Sequence, residues 1–401
     1  MKVRLADLAL LGIATIYFPL LPIGIETQPD VIVFLLLVGG SILYSNFIKD
    51  RGPEMRWLRL LIFLLVGRTL FDTFAYHQAP VSLLKYLIPL LFYIAMRRIN
   101  LSPSPRFFDW FLGIHCILAL LYFAGLANFL QFIFKRYSTG QDTVRGFSFL
   151  SQEPSYAASY LFAIFIAIYV SHFPRRKMYL WTTLALIAIT KSLIGVVLIL
   201  LGILLTLESG GLVFLIGGVV ATIAVLSTVL VSSDTSRIGQ FVAALRSIDA
   251  NHVLLSFVIL EPSGTVRILM NGYSFFMGFH SVIGYGIGSF SSTFIANARA
   301  YGANIFLYND ALADFYRYNL NISPQSAFAA LAYETGIFSI LYTAPYFYCI
   351  YRTRRMRKLW IVAFVYAMIC LVFQSEISNP TPLYILMLLA NYVEYNAGVA
   401  R

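Results

Sequence analysis

Several groups of residues in this chain have the types and spacing to do chemistry. The first is the run from Arg145 through Gly146, Phe147, Ser148, Phe149 and Ser151 to Glu153, Pro154 and Ser155. Pro154 suits the first turn of a helix. Glu153 is then either a cap favoured by the helix dipole or a carboxylate held beside an arginine and free to accept a proton. The second is Lys191, set in Thr190-Lys191-Ser192 between two apolar runs. A lysine at a helix centre costs ~2.5–3.5 kcal/mol on insertion scales, so this ammonium snorkels to headgroups or points into a polar cavity.

The third group runs from Glu261-Pro262-Ser263-Gly264 to Arg267 and on to Gly284-Tyr285-Gly286-Ile287-Gly288-Ser289. A guanidinium offers five donors in a rigid fork that matches a pair of phosphate oxygens. Alternating glycines let backbone approach a ligand closely. No strand–helix context surrounds them, so they form no dinucleotide fingerprint. The fourth is aromatic: Tyr301, Phe306, Tyr308, Phe315, Tyr316 and Tyr318, interleaved with Asp310, Asp314 and Arg317. An apolar ring with a polar tip suits a sugar and equally suits a membrane interface belt. The fifth spans Gln325 to Gly336, where Glu334 interrupts an apolar run and could be a buried partner for Arg267 or Lys191.

Other polar residues point away from metals and redox chemistry. His77, His115, His172, His252 and His280 have no metal-ligand spacing. No Asp-x-Asp occurs, so nothing suggests a divalent-metal nucleotide site. Cys116, Cys349 and Cys370 all fall inside apolar runs and read as core. Arg68 and Asp72, at i and i+4, read as a structural pair, and Glu376 as a weak candidate at a helix end.

The elements that must carry these residues are spanning helices. Of 401 residues, 59% are hydrophobic and only 12% charged, with mean hydropathy +0.78, whereas soluble domains carry roughly 25% charged residues. Apolar stretches near 20 residues recur. The pattern predicts about twelve transmembrane helices: 5–25, 30–48, 57–76, 80–96, 107–130, 153–172, 178–191, 192–208, 211–231, 326–350, 359–376 and 380–397. The fold class is an all-α polytopic integral membrane protein. Residues 1–231 carry nine spans, 232–325 form a large, partly helical loop, and 326–401 carry the last three, in one integrated domain. The seventh and eighth spans meet at Lys191 in a tight turn or a kink lining a cavity. The start, Met1-Lys2-Val3-Arg4 before an apolar run, reads as a retained signal anchor.

The net charge of +11 reads as topology, not as a nucleic-acid footprint. With the N-terminus inside, eighteen of the 29 basic residues face the cytoplasm: Lys2, Arg4, Lys49, Arg51, Arg56, Arg59, Arg97, Arg98, Arg106, Arg175, Arg176, Lys177, Arg352, Arg354, Arg355, Arg357, Lys358 and Arg401. Arg68 and Lys85 lie within spans. The positive-inside tendency then places both termini in the cytoplasm. It leaves nine cations outside without a topological cause: Lys135, Arg136, Arg145, Lys191, Arg237, Arg246, Arg267, Arg299 and Arg317. They concentrate in 131–152 and in 232–325, and long loops are usually functional. The stretch 237–260 is amphipathic and suited to an interface. A transporter of two six-helix halves would show matching halves around a central cytoplasmic loop, and this chain does not. Cations, a carboxylate and tyrosines at one membrane face fit a ligand with a pyrophosphate, a lipid tail and a sugar head.

In their order these blocks resemble the bacterial Wzy-type O-antigen and exopolysaccharide polymerases, within the O-antigen ligase-like polysaccharide polymerase superfamily. Arg145-Gly146-Phe147 with Glu153-Pro154-Ser155 resembles the Arg-Gly and Pro-Asn/Ser block that precedes a span. Lys191 stands where the family often has arginine. Arg267 and Gly284-Tyr285-Gly286 resemble the arginine-to-glycine block of the long periplasmic loop, and Ala332-Tyr333-Glu334-Thr335-Gly336 resembles the segment re-entering the membrane. The likeness covers roughly residues 140–350. Ligases of the group carry a His-Asn pair nine residues before that glutamate. Here those positions are Gln325 and Ser326, which favours polymerase over ligase.

The resemblance implies a GT-C-type architecture in the bacterial inner membrane with a periplasmic active site. It implies a glycosyltransferase that needs no metal and no cofactor. Its substrates are undecaprenyl-pyrophosphate-linked oligosaccharides of lipopolysaccharide or exopolysaccharide, and its partners are membrane lipids, a chain-length regulator and a flippase. Arg145, Lys191 and Arg267 would hold the pyrophosphate, with Arg145, Arg267 and the base Glu153 as catalytic groups. Tyr156, Tyr301, Tyr308, Tyr316 and Gln325 are sugar-binding candidates, supported by Glu334. The rival readings are an O-antigen ligase, a lipid-linked oligosaccharide flippase or transporter, and a cell-wall glycosyltransferase.

Overall fold

The structure, a computed structural model, describes residues 5–16, 47–48, 50, 52–97, 103–126, 147–149, 151, 154–206, 262–322, 324, 326–373 and 379–396. Among these residues every regular element is helical and no strand occurs. The α-helices are α1 (Leu5–Thr15), α2 (Pro53–Asp72), α3 (Ala79–Met96), α4 (Pro105–Phe123), α5 (Pro154–Val170), α6 (Arg176–Ile189), α7 (Leu193–Thr206), α8 (Pro262–His280), α9 (Phe290–Ala300), α10 (Asp310–Tyr318), α11 (Ala327–Thr335), α12 (Ala344–Thr353), α13 (Arg357–Phe373) and α14 (Thr381–Asn396). Tight 3-10 turns cover Asn304–Tyr308 and Gly336–Thr343. Helices therefore stand where apolar runs predict spans, except at 30–48 and 211–231, whose apolar stretches lie almost wholly outside the described residues.

Three of these stretches are long and apolar enough to cross a membrane: α3, α4 and the continuous helical stretch Ala327–Thr353. α2 matches them in length, 20 residues or ~30 Å at 1.5 Å per residue, but carries more charge. Trp57, Phe63, Leu70 and Phe71 on α2, and Trp110, Ile117, Leu120 and Phe123 on α4, are exposed. Surfaces so apolar suit lipid and not water. α5 contrasts with them. It has no charged residue and is buried on nearly every side from Ala157 to Val170, as a helix apolar all round must be. α1, α6, α7 and α14 pack against it.

Side-chain contacts link eight of these helices at one end. Asp7 near the start of α1 accepts from the Ser104 amide before α4, at 2.6 Å. Asp109 on α4 accepts from the Tyr179 hydroxyl on α6, and the Arg176 guanidinium of α6 lies 4.7 Å from the Tyr169 ring at the end of α5. Tyr169 meets Tyr392 of α14, Glu394 pairs with Arg352 of α12, and Arg97 after α3 pairs with Glu54 of α2 and reaches Asp50 at 3.2 Å. This end collects Arg59, Arg97, Arg175–Lys177 and Arg352–Lys358. Residues 1–4 and Arg401 fall outside the described residues.

From residue 262 the stretch expected as a loop is mostly helix with a core of its own. Met270 and Met277 of α8, Phe290 and Phe294 of α9, Phe306 and Tyr316 pack with Ala330 and Tyr333 of α11. The predicted interface stretch 237–260 lies outside the described residues.

Candidate functional site

At the end of the bundle away from the basic clusters, two polar neighbourhoods form. The first lies where α4 and α6 finish and α5 and α7 begin. The Phe147 amide donates to the Ile189 carbonyl, 3.3 Å, at the end of α6. Its ring stacks on Tyr122 of α4 at 4.7 Å and meets Phe149 at 4.6 Å. The Ser151 amide and hydroxyl both donate to the Ser148 carbonyl, at 2.9 and 2.8 Å, folding the chain back towards Pro154. The structure thus brings the Phe147–Ser151 segment against the turn that carries Lys191. Arg145 and Glu153, which flank that segment in sequence, lie outside the described residues.

The α6–α7 junction is a tight turn. Thr190 and Lys191 amides donate to Ile187 and Ala188 carbonyls, both at 3.1 Å. Lys191 takes φ +48°, and the Ser192 hydroxyl accepts from the Gly195 amide at 2.9 Å to cap α7. The Lys191 side chain is exposed and has no hydrogen-bond or ion-pair partner among the described residues. Tyr156 is half-buried against the main core. His115 and Tyr160, which no spacing in the sequence pairs, face each other below this mouth. His115 Nδ1 lies 2.8 Å from the Phe111 carbonyl and so must donate. Its Nε2 then accepts from the Tyr160 hydroxyl at 2.9 Å. The Phe149 ring lies 5.4 Å from that imidazole.

The second neighbourhood centres on Glu334, buried at the end of α11. Its partners are neutral donors, not the cations expected from the sequence: the Tyr86 hydroxyl of α3 at 2.9 Å and the Phe290 amide at 3.2 Å. Asp72, at the end of α2, accepts from Arg68 Nε at both carboxylate oxygens, 2.8 and 3.0 Å, as the i,i+4 spacing predicts, and from the Ile287 amide at 2.7 Å. Two carboxylates on separate helices therefore hold amides of one loop, 282–290. The Tyr285 amide donates to the Tyr333 carbonyl and the Gly286 amide to the Glu334 carbonyl, each at 3.0 Å.

The glycines of that loop serve this docking and not a ligand. A Cβ on Gly284 would stand 2.4 Å from the Glu334 backbone. On Gly288 it would stand 2.7 Å from the Ala79 nitrogen, and on Gly286 2.9 Å from the Tyr76 ring. All three have positive φ. The close approach inferred from their spacing is real, but its object is the chain itself.

Arg267 belongs to α8, one helical turn before Asn271. The Asn271 amide group donates to the Val372 carbonyl and the Ser326 hydroxyl to the Leu371 carbonyl, 2.9 Å, so both satisfy the end of α13. The guanidinium of Arg267 is half-buried without a partner among the described residues; Gln325 lies outside them. Beside Ser326, a shallow crevice lies between α11, α12, α13 and α14, lined by Phe328, Tyr342, Tyr346, Cys370 and Asn379.

The tyrosines divide. Tyr301 and Tyr308 are exposed. The Tyr301 ring meets Phe276 and His280 edge-on, both at 5.5 Å, and its hydroxyl lies 3.4 Å from that of Tyr285. Burial, then the Tyr301 hydroxyl, raises the Tyr285 hydroxyl above the ordinary tyrosine range, so it stays a neutral donor. Tyr285 stacks on Tyr333 at 4.6 Å, whose hydroxyl accepts from Asn297 at 2.6 Å and hydrogen-bonds the Thr293 hydroxyl at 2.8 Å. Tyr316 is buried instead, with its hydroxyl on Asn304 at 3.1 Å. Arg299 is explained by structure: it donates to the Tyr316 carbonyl and covers the Tyr316 ring at 5.2 Å. Arg317 faces Asp314 at 3.9 Å on an exposed surface. Among the described residues no three His, Cys, Asp or Glu side chains converge as a metal site.

The class these features define is an all-helical membrane protein with a helical, tyrosine-rich cap over one end of its bundle. No family model, curated protein or solved structure matches the chain.

Proposed function

We propose that the protein is a membrane glycosyltransferase, a polymerase of undecaprenyl-pyrophosphate-linked oligosaccharide repeats of the Wzy type. The observation that carries this reading is what remains once structural roles are assigned. Of the described cations at the end away from the basic clusters, Arg68, Arg299 and Arg317 have partners in the fold, whereas Lys191 and Arg267 have none, nor has the exposed Lys85 further along α3. Unpaired cations beside apolar helices match a lipid-borne pyrophosphate.

In this reading the acceptor hydroxyl oxygen attacks the anomeric carbon of the donor glycan. The carbon–oxygen bond to pyrophosphate breaks, and its electron pair stays on the leaving phosphate. Lys191, Arg267 and Arg145 balance that charge, the electrostatic stabilisation a fixed cation provides. Glu153 takes the acceptor proton, a role worth ~10²–10⁴-fold. A single displacement inverts the sugar carbon. Tyr156, Tyr301 and Tyr308 offer faces for sugar rings, and Glu334 supports the site by holding the 282–290 loop. The site would face the periplasm of a bacterial inner membrane, with a GT-C-type helical architecture and with a flippase and a chain-length regulator as partners.

The experiment is reconstitution with labelled lipid-linked repeats alone. A ladder of products that Glu153→Gln and Arg267→Ala both abolish supports the proposal. Transfer only when lipid A core is added means a ligase, and movement of substrate across the bilayer without new glycosidic bonds means a flippase.

A further inference from the structure

α8 carries a stripe of apolar residues that the other described residues leave uncovered. Ile268, Gly272, Phe276 and Phe279, spaced i, i+4, i+8 and i+11, are exposed, which is one helix face; His280, also exposed, closes that face in the last turn with its ring stacked on Phe276 at 6.0 Å. The opposite face is buried: Met270, Ser274 and Met277 turn inward. Gly278 crosses α11 so closely that a Cβ would stand 2.1 Å from the Ala332 carbonyl oxygen. Phe275 meets Phe328 at 5.3 Å, so α8 runs parallel to α11. A small residue at a close helix crossing is a habit of helices packed within membranes.

The stripe does not stop at the end of α8. Val282 and Ile283 extend it, each more than half exposed, and the Val282 carbonyl accepts from the Ile337 amide at 2.8 Å. Ile337 and Ile340 are exposed in turn, and both belong to the Ala327–Thr353 stretch, which is long and apolar enough to cross a membrane. The uncovered face of α8 is thus one continuous surface with the uncovered face of a spanning segment. The charged surface of this region lies elsewhere, on α10, where Asp314 and Arg317 are exposed.

We infer that α8 is a membrane-embedded helix whose Phe276–Ile283 face contacts the acyl chains of the bilayer, so that this part of the predicted outer loop lies at membrane depth. The inference stands whether or not the protein is a polymerase. Its consequence for that reading is that Arg267, next to Ile268, rides on a helix sunk in lipid, within reach of a headgroup or a lipid-borne pyrophosphate.

Tryptophan fluorescence tests it on the full chain. Trp57, Trp110, Trp181 and Trp360 are replaced by phenylalanine, and one tryptophan is introduced at a time as Phe276→Trp, Phe279→Trp or Tyr318→Trp. All three positions are exposed, so the fold tolerates the change. The variants are reconstituted in phosphatidylcholine vesicles with brominated acyl chains. The inference predicts that the tryptophans at 276 and 279 lose most of their emission to the bromolipid and resist aqueous iodide, while the one at 318 behaves the opposite way. Quenching of 276 and 279 by iodide and not by bromolipid would overturn it by showing a water-facing stripe. Shielding from both quenchers would overturn it too, by showing that protein, such as a second copy of the chain, covers the face.

Discussion

At the scale of single residues, a carboxylate inside an apolar span is tolerable only where donors surround it. Glu334 meets that condition through the Tyr86 hydroxyl and the Phe290 amide. Tyr86→Phe removes one donor and leaves a buried acceptor short of a partner, at a cost of ~1–3 kcal/mol. A lowered midpoint of thermal unfolding in detergent would display it, with exposed Tyr308→Phe unchanged as the control. Lys191 belongs to the opposite case. Its side chain is exposed and unpartnered among the described residues, so Lys191→Ala should leave unfolding unchanged. It should lower polymerisation about 10- to 100-fold if the ammonium makes a charge-assisted contact to phosphate, and Lys191→Arg should restore most of it.

At the scale of elements, the 282–290 loop and the break at Gly336 act as one joint. Gly336 has φ +60°, and a Cβ there would fall 2.0 Å from the Val282 carbonyl oxygen. Gly302 has φ +72° but open space around it. Alanine at Gly302 should therefore cost only the left-handed backbone penalty, ~1–2 kcal/mol. Alanine at Gly336 should cost clearly more, because the loop must also be pushed off α11. Comparing the two unfolding midpoints checks this. The same joint marks where the sequence was legible and where it was not. The helices could be read because a run such as Pro154–Val170 is apolar on every face. The Arg68–Asp72 pair could be read because i,i+4 spacing fixes a contact within one helix. The object of the glycine spacing could not be read, because Gly284 and Glu334 are fifty residues apart in the chain and only the fold brings them together. Glu334 seemed to want a cation for the same reason: Tyr86 is no nearer in sequence. α8 was hidden because Gly272, Ser274 and Asn271 dilute its apolar stripe below what a spanning run shows.

At the scale of the whole molecule, the contacts from Asp7 through Arg176 and Arg352 to Arg97 tie the basic ends of the long helices together, leaving Lys191 and the cap at the other end. Cysteine labelling in sealed vesicles should therefore find positions 191 and 354 on opposite sides. Labelling of both by one impermeant reagent would reverse the charge-based topology. The unpartnered cations at the end away from the basic cluster are proposed to serve a lipid-linked pyrophosphate in glycan transfer. The product pattern of the purified, reconstituted protein given labelled undecaprenyl-pyrophosphate repeats and nothing else tests this. The expected result is a ladder of growing chains that Arg267→Ala and Lys191→Ala each suppress without changing the unfolding midpoint. A single unextended band from well-folded protein, or a ladder that both variants leave intact, would contradict it.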